Sequence, residues 1–234
     1  MRKIACVDFK GDTAIKSVRF DGLRKIGCPV ELSQKYCDMG IDEIYLHDAT
    51  SSLYGTGINF ELVRRVANSI NIPLTVSGGV KTIDDCGALL EAGADRVSIN
   101  SAFVDNIKLA ENIVALFGSQ FLSTTIEYRV FDEENVQLFY RYGRETINFD
   151  LISYSKRLSD QGIGELVYRC ITRDGVFAGV HTEIIDHLPC VSHLQIVLLG
   201  GAIKSDLNLN EKGLNGIAIG SSLHFGRITE ADLK

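Results

Sequence analysis

Two carboxylates and two glycine pairs are the residues of this chain whose types and spacing suit chemistry. Asp8 closes the run Ile4-Ala5-Cys6-Val7, and Glu127 stands near the end of a second strand pattern from Phe121 to Tyr128. A short apolar run ending in charge reads as a buried strand, and in α/β barrels the carboxyl ends of strands are the functional ends. Alone, Asp8 either ends a strand in water or carries chemistry. With Glu127 facing it, the two suit general acid/base work, because burial and mutual repulsion separate their pKa values.

Gly78-Gly79 and Gly200-Gly201 each follow a strand pattern, and a small polar turn follows the next strand in each case. Those turns are Asn100-Ser101 and Gly220-Ser221-Ser222. Glycines let backbone N–H groups approach an anion closely, so each set of loops is expected to cradle a phosphate. Two cradles at one mouth suit a ligand with a phosphate at each end. Lys16, expected in a polar loop with Arg19, could steady a phosphate or a developing charge.

The elements that must position these groups alternate strand and helix. Strands are expected at Ile4 to Lys10, Glu43 to Asp48, Leu74 to Ser77, Arg96 to Ser101, Phe121 to Tyr128, Glu165 to Ile171, Leu194 to Leu199 and Gly216 to Gly220. Helices are expected at Pro29 to Met39, Phe60 to Val66, Ile83 to Ala92, Asn106 to Phe117, Asp150 to Gln161 and His181 to His187. The segment Asp206 to Leu214, rich in Asn and Gly, predicts a poor helix. Repeated βα units imply parallel strands with right-handed crossovers.

The two halves match at a nearly fixed offset. Asp8 and Glu127 lie 119 apart, Gly78-Gly79 and Gly200-Gly201 lie 122 apart, Ser101 and Ser221 lie 120 apart, and Gly57 and Gly179 lie 122 apart. A twofold repeat of four units predicts a (β/α)8 TIM barrel, a single domain over 1–234 built from half-barrels of about 1–118 and 119–234. An open doubly wound sheet is the alternative.

At 234 residues with 45% hydrophobic side chains, one large core is the expectation. A formal charge of -6 argues against a nucleic-acid surface while leaving room for local anion pockets. Cys6, Cys28, Cys37, Cys86, Cys170 and Cys190 show no CxxC spacing and no cluster with His47, His181, His187, His193 or His224. That usage predicts a reducing, cytoplasmic setting with no disulfide framework, metal site or cofactor. No apolar run is long enough to span a membrane.

With these features in place, the chain resembles the cyclase subunit of imidazole glycerol phosphate synthase over nearly its whole length. The resemblance is densest in Ile4 to Lys10, Asp21 to Asp48, Ile72 to Ala102, Phe117-Gly118-Ser119-Gln120 and Arg173-Asp174-Gly175. It implies a heterodimer with a glutaminase whose ammonia travels up the barrel axis. At the top, that ammonia would cleave and cyclise a bis-phosphorylated ribulosyl aminoimidazole carboxamide to imidazole glycerol phosphate and an aminoimidazole carboxamide ribotide.

By the same resemblance Asp8 and Glu127 are the acid/base pair. Lys16, Gly79, Asn100, Ser101, Asp174, Gly175, Gly201 and Ser221 contact phosphate. Arg2, Glu43, Arg96 and Glu165 form a charged ammonia gate, and Asp95 and Gln120 face the glutaminase. Glu127, Arg169, Thr172 and Leu199 depart from the family, which has Asp, Thr, Asp and Ser there. Two other functions compete: a paralogue that delivers ammonia to another acceptor, such as an amidino sugar for surface polysaccharide, and the phosphoribosyl isomerase of the same fold.

Overall fold

Near-continuous apolar patterning in short runs makes strands that are covered on both faces, and that pattern governs this chain. The computed structural model describes residues 1–132, 135–188, 194–211 and 213–234. Its strands are β1 (Arg2–Lys10), β2 (Thr13–Val18), β3 (Asp21–Gly27), β4 (Glu43–Asp48), β5 (Leu74–Ser77), β6 (Arg96–Ile99), β7 (Leu122–Val130), β8 (Val136–Tyr140), β9 (Glu145–Ile147), β10 (Glu165–Cys170), β11 (Gln195–Leu199) and β12 (Gly216–Ile219). Eight of them, β1, β4, β5, β6, β7, β10, β11 and β12, pair in parallel, and β7 pairs with β10 to close a (β/α)8 barrel.

Inward residues follow the two-residue period of each strand. Ile4, Cys6, Tyr45, Val167, Val197, Leu199 and Ala218 pack together inside the barrel. Intervening residues such as Ala5, Val7, Ile44, Leu46, Leu166 and Leu198 face the helices in the larger core. Helices Pro29–Asp38, Phe60–Ala67, Ile83–Glu91, Lys108–Phe117 and Leu151–Ser159 cover that outer face. Local capping fixes several starts: Asn59 accepts from Leu62 N–H, and Thr82 and Asp85 cap each other reciprocally.

Two antiparallel excursions grow from equivalent places. β2 and β3 fold back from β1, and β8 and β9 fold back from β7. Lys16 therefore does not lie in a polar loop. It sits on β2 and is buried, because Thr13, Ile15 and Val18 favour a strand that roofs the barrel mouth. The expected helix at His181 to His187 is a 3-10 segment, Thr182–His187, and among the described residues of the poor helix expected from Asp206 to Leu214 only the start is helical, in the 3-10 segment Lys204–Asn208. The expected helix from Asn106 begins at Lys108, after a separate short helix Ser101–Asp105. Cys190 and His193 lie outside the described residues.

Both glycine pairs are dictated by close backbone approach. A Cβ on Gly78 would run into the Asp48 carbonyl, and one on Gly200 would come within 2.5 Å of the Cys170 carbonyl oxygen. Both also have positive φ, +98° and +111°. Gly200→Ala is accordingly expected to lower unfolding free energy by about 3 kcal/mol, from clash plus left-handed strain. Urea denaturation reads this directly, and an unchanged midpoint would show that the backbone relaxes freely there.

Candidate active site

At the carboxyl ends of the strands, Asp8 and Glu127 face the same mouth, as their matched places on β1 and β7 require. Between them stands Arg169, whose register on β10 pairs it with Glu127. It is fully buried. Its Nη2 donates to both Asp8 oxygens at 2.8 and 3.1 Å, and its Nε donates to Asp174 at 3.1 Å. Lys16 Nζ joins the same pair, 3.1 Å from Asp8 and 2.6 Å from Asp174. Two buried cations thus balance two buried anions, a condition for keeping any of them out of water.

This balance sets the protonation of the mouth. Burial alone would raise Asp8, but Arg169 and Lys16 outweigh it and hold the carboxyl far below the ordinary carboxylate range. Glu127 has no such partner. Burial pushes it up to about 7, against the opposing pull of Arg169 and of a 2.9 Å hydrogen bond from Gly143 N–H. The two carboxylates are driven apart because burial dominates at Glu127, whereas Arg169 and Lys16 together overcome it at Asp8.

A roof closes over the knot. Phe20 and Tyr142, one from each excursion, stack at 4.2 Å with 7° between their planes, and Ser17 Oγ and Tyr142 OH hydrogen-bond at 2.9 Å. The Arg169 guanidinium lies 4.6 Å from the Phe20 ring centre. Phe20 and Tyr142 both have positive φ, 68° and 55°, which costs an aromatic residue about 1 kcal/mol or more. The stack and the cation beneath it hold both residues there.

The two cradles are unequal. Gly78, Gly79, Asn100 and Ser101 line a cavity of 380 Å³ together with His47, Glu127 and Arg141. Asn100 Oδ1 is buried there without a partner. The other cleft, lined by Asp174, Gly175, Gly200, Gly201, Gly220 and Ser221, encloses only 10 Å³. Lys16 fills it: its Nζ would be 3.6 Å from a Cβ on Gly220, and Leu199 lines the same wall.

The opposite end of the barrel carries a ring. Arg2 pairs with Glu43 at 2.6 Å and with Glu165, while Arg96 lies 3.0 Å from Glu43 and 3.6 Å from Glu165. Gln195 adds a hydrogen bond to Arg2 at 2.9 Å. Both glutamates are buried, and both arginines lie at the rim. Asp95 and Gln120 belong to this rim: the Asp95 carboxylate accepts from Leu74 N–H at 2.8 Å, and the Gln120 carbonyl accepts from Arg96 Nε at 3.1 Å. Above the ring, Tyr45 crosses the lumen to Ser98 and Thr125, at 3.0 and 2.5 Å.

Arg169, Phe20, Tyr142, Tyr45 and His47 were not among the site residues expected from the sequence. Strand parity would have found three of them: Arg169 falls two after Val167, and Tyr45 and His47 fall two and four after Glu43. Phe20 and Tyr142 lie in turns, where no period applies.

The sequence profile described as "Histidine biosynthesis protein" matches residues 2–229. The imidazole glycerol phosphate synthase subunit HisF of Natranaerobius thermophilus is 38% identical, covering 100% of this chain and 94% of that protein. Its namesakes from Bacillus cereus and Pyrobaculum aerophilum are 34% and 32% identical over the same shares.

Because folded Glu127 titrates near 7 rather than near 4.5, the folded state binds the extra proton between these values, and stability falls as pH rises through that window. Replacing Glu127 by Gln removes this loss. The difference between variant and parent unfolding free energies is expected to shift toward the variant by about 3 kcal/mol from pH 4.5 to 7 and then level off. A flat difference across that range would mean Glu127 is ionised throughout.

Proposed function

This chain belongs to the histidine biosynthesis protein family, and from that premise we propose that it is the cyclase subunit of imidazole glycerol phosphate synthase, a lyase that works with a glutamine amidotransferase. One observation carries the assignment beyond the match itself: a closed ring of four charges at one end of the barrel and a glycine-lined, carboxylate-bearing mouth at the other. A phosphoribosyl isomerase has no use for the ring. The full-length relatives carry the synthase name, so the alternative with another ammonia acceptor is not favoured.

In this reading Arg2, Glu43, Arg96 and Glu165 admit ammonia from a glutaminase docked on the rim near Asp95 and Gln120. The substrate places one phosphate against Gly78, Gly79, Asn100 and Ser101. Its second phosphate belongs to the cleft of Asp174, Gly175, Gly200, Gly201, Gly220 and Ser221. Lys16 must leave Asp174 for that phosphate, exchanging one anion for another. Asp8, bound to Arg169, supplies fixed negative charge, and Glu127 moves the proton. Glutamate places its carboxyl one methylene farther from the backbone than aspartate would, and the Gly143 N–H draws it back toward its own wall.

Excess ammonium salt makes the glutaminase unnecessary, so turnover of the bis-phosphorylated aminoimidazole carboxamide by this chain alone tests the mouth by itself. Turnover is expected, and Glu127→Gln is expected to lower it about 100-fold or more. Folded parent protein that consumes no substrate would overturn the assignment, and full activity in the variant would remove Glu127 from the proton transfers.

A further inference from the structure

The cavity beside the first glycine pair contains a buried ring that none of these roles employs. His47 is only 8% exposed, it lines the same cavity as Glu127, Asn100 and Gly79, and neither of its ring nitrogens has a partner. Leaving a buried polar group unpaired costs roughly 1–3 kcal/mol. Asn100 Oδ1, in the same cavity, is unpaired as well. Bare polar atoms gathered in one cavity are what a ligand with complementary groups satisfies.

The position of His47 follows from register. On β4 it pairs with Asp8 of β1 on one side and with Ser77 of β5 on the other. It therefore belongs to the mouth layer, one strand from Asp8. Its ring lies 6.0 Å from Tyr142 and 6.4 Å from Tyr45. Burial and the charge of Arg169 bring the imidazole down to about 4, with Lys16 adding to the fall and Asp8 and Asp174 opposing it. At neutral pH the ring is uncharged, with one nitrogen that accepts a proton and one that donates.

Asp8 offers the opposite case. Its Oδ1 receives Arg169, and its Oδ2 receives both Arg169 and Lys16. A carboxylate held by two cations in this way stays ionised.

We propose that His47 is a catalytic residue of this chain, working with Glu127 on the carbon of the substrate that takes up ammonia. The proposal rests on the ammonia-dependent reading above. Ammonia adds to a ketone carbon, the C–N bond forms, and the carbonyl electron pair moves to oxygen. His47 takes a proton from the nitrogen, and protonated Glu127 gives one to the oxygen. In the next step imidazolium His47 returns its proton to that hydroxyl, which leaves as water, while Glu127 carboxylate takes a second proton from the nitrogen as C=N forms. Ketone and ammonia become imine and water, and both side chains end as they began.

Two readouts on the full chain test this. With histidine nitrogens labelled by 15N, the His47 ring signals, identified by their loss in His47→Gln, are expected to move when imidazole glycerol phosphate is added, because the ligand supplies the missing partners. Signals that stay fixed up to millimolar ligand overturn contact. In excess ammonium, His47→Gln is expected to lower kcat about 100-fold with KM changed by less than about threefold. An unchanged kcat overturns the catalytic role. If the parent chain turns over nothing, the synthase assignment fails, and the ring signals alone decide whether His47 meets the ligand.

Discussion

The bonds of Arg169 to Asp8 and Asp174 are the constraint on which the upper half of this barrel depends. A guanidinium placed inside a closed barrel must be neutralised where it stands, and its forked donors fit two carboxylates at once. Lys16 then balances the second negative charge, and this recruits β2 as a roof strand rather than a solvent loop. The flat face of the guanidinium takes Phe20, and Phe20 takes Tyr142. Charge, roof and the shape of both clefts form one connected arrangement. The same arrangement leaves Glu127 and His47 outside its ion pairs.

The two ends of the barrel solve the burial of charge differently. At the amino end, Glu43 and Glu165 are buried, but their arginine partners reach the rim and remain partly hydrated. At the carboxyl end all four charges are sealed, where the desolvation cost is larger and only full pairing offsets it. The first arrangement can loosen at little cost. The second changes only by exchange, one anion replacing another.

Much of this was legible in the sequence because repetition makes weak signals add. Asp8 alone is ambiguous, as is a single Gly-Gly, but the near-constant offset between Asp8 and Glu127 and between Gly78-Gly79 and Gly200-Gly201 marks them as equivalent strand ends and turns. The positive φ and tight backbone contacts of Gly78 and Gly200 give that signal its physical cause. Lys16 was misplaced because an exposed loop is the usual home of a lone lysine, and only its distant partners Asp8 and Asp174 bury it. Arg169 stood out only as a departure from its family. Its role requires knowing that Asp174, five residues on, and Asp8, far earlier in the chain, converge on the same point.

Tyr45 makes the barrel a stoppered vessel instead of a pipe. Its hydroxyl reaches across the lumen to Ser98 and Thr125, and its ring packs among Ile4, Cys6, Val167 and Val197. Opening a path between the charged ring and the mouth therefore requires the phenol to give up these bonds.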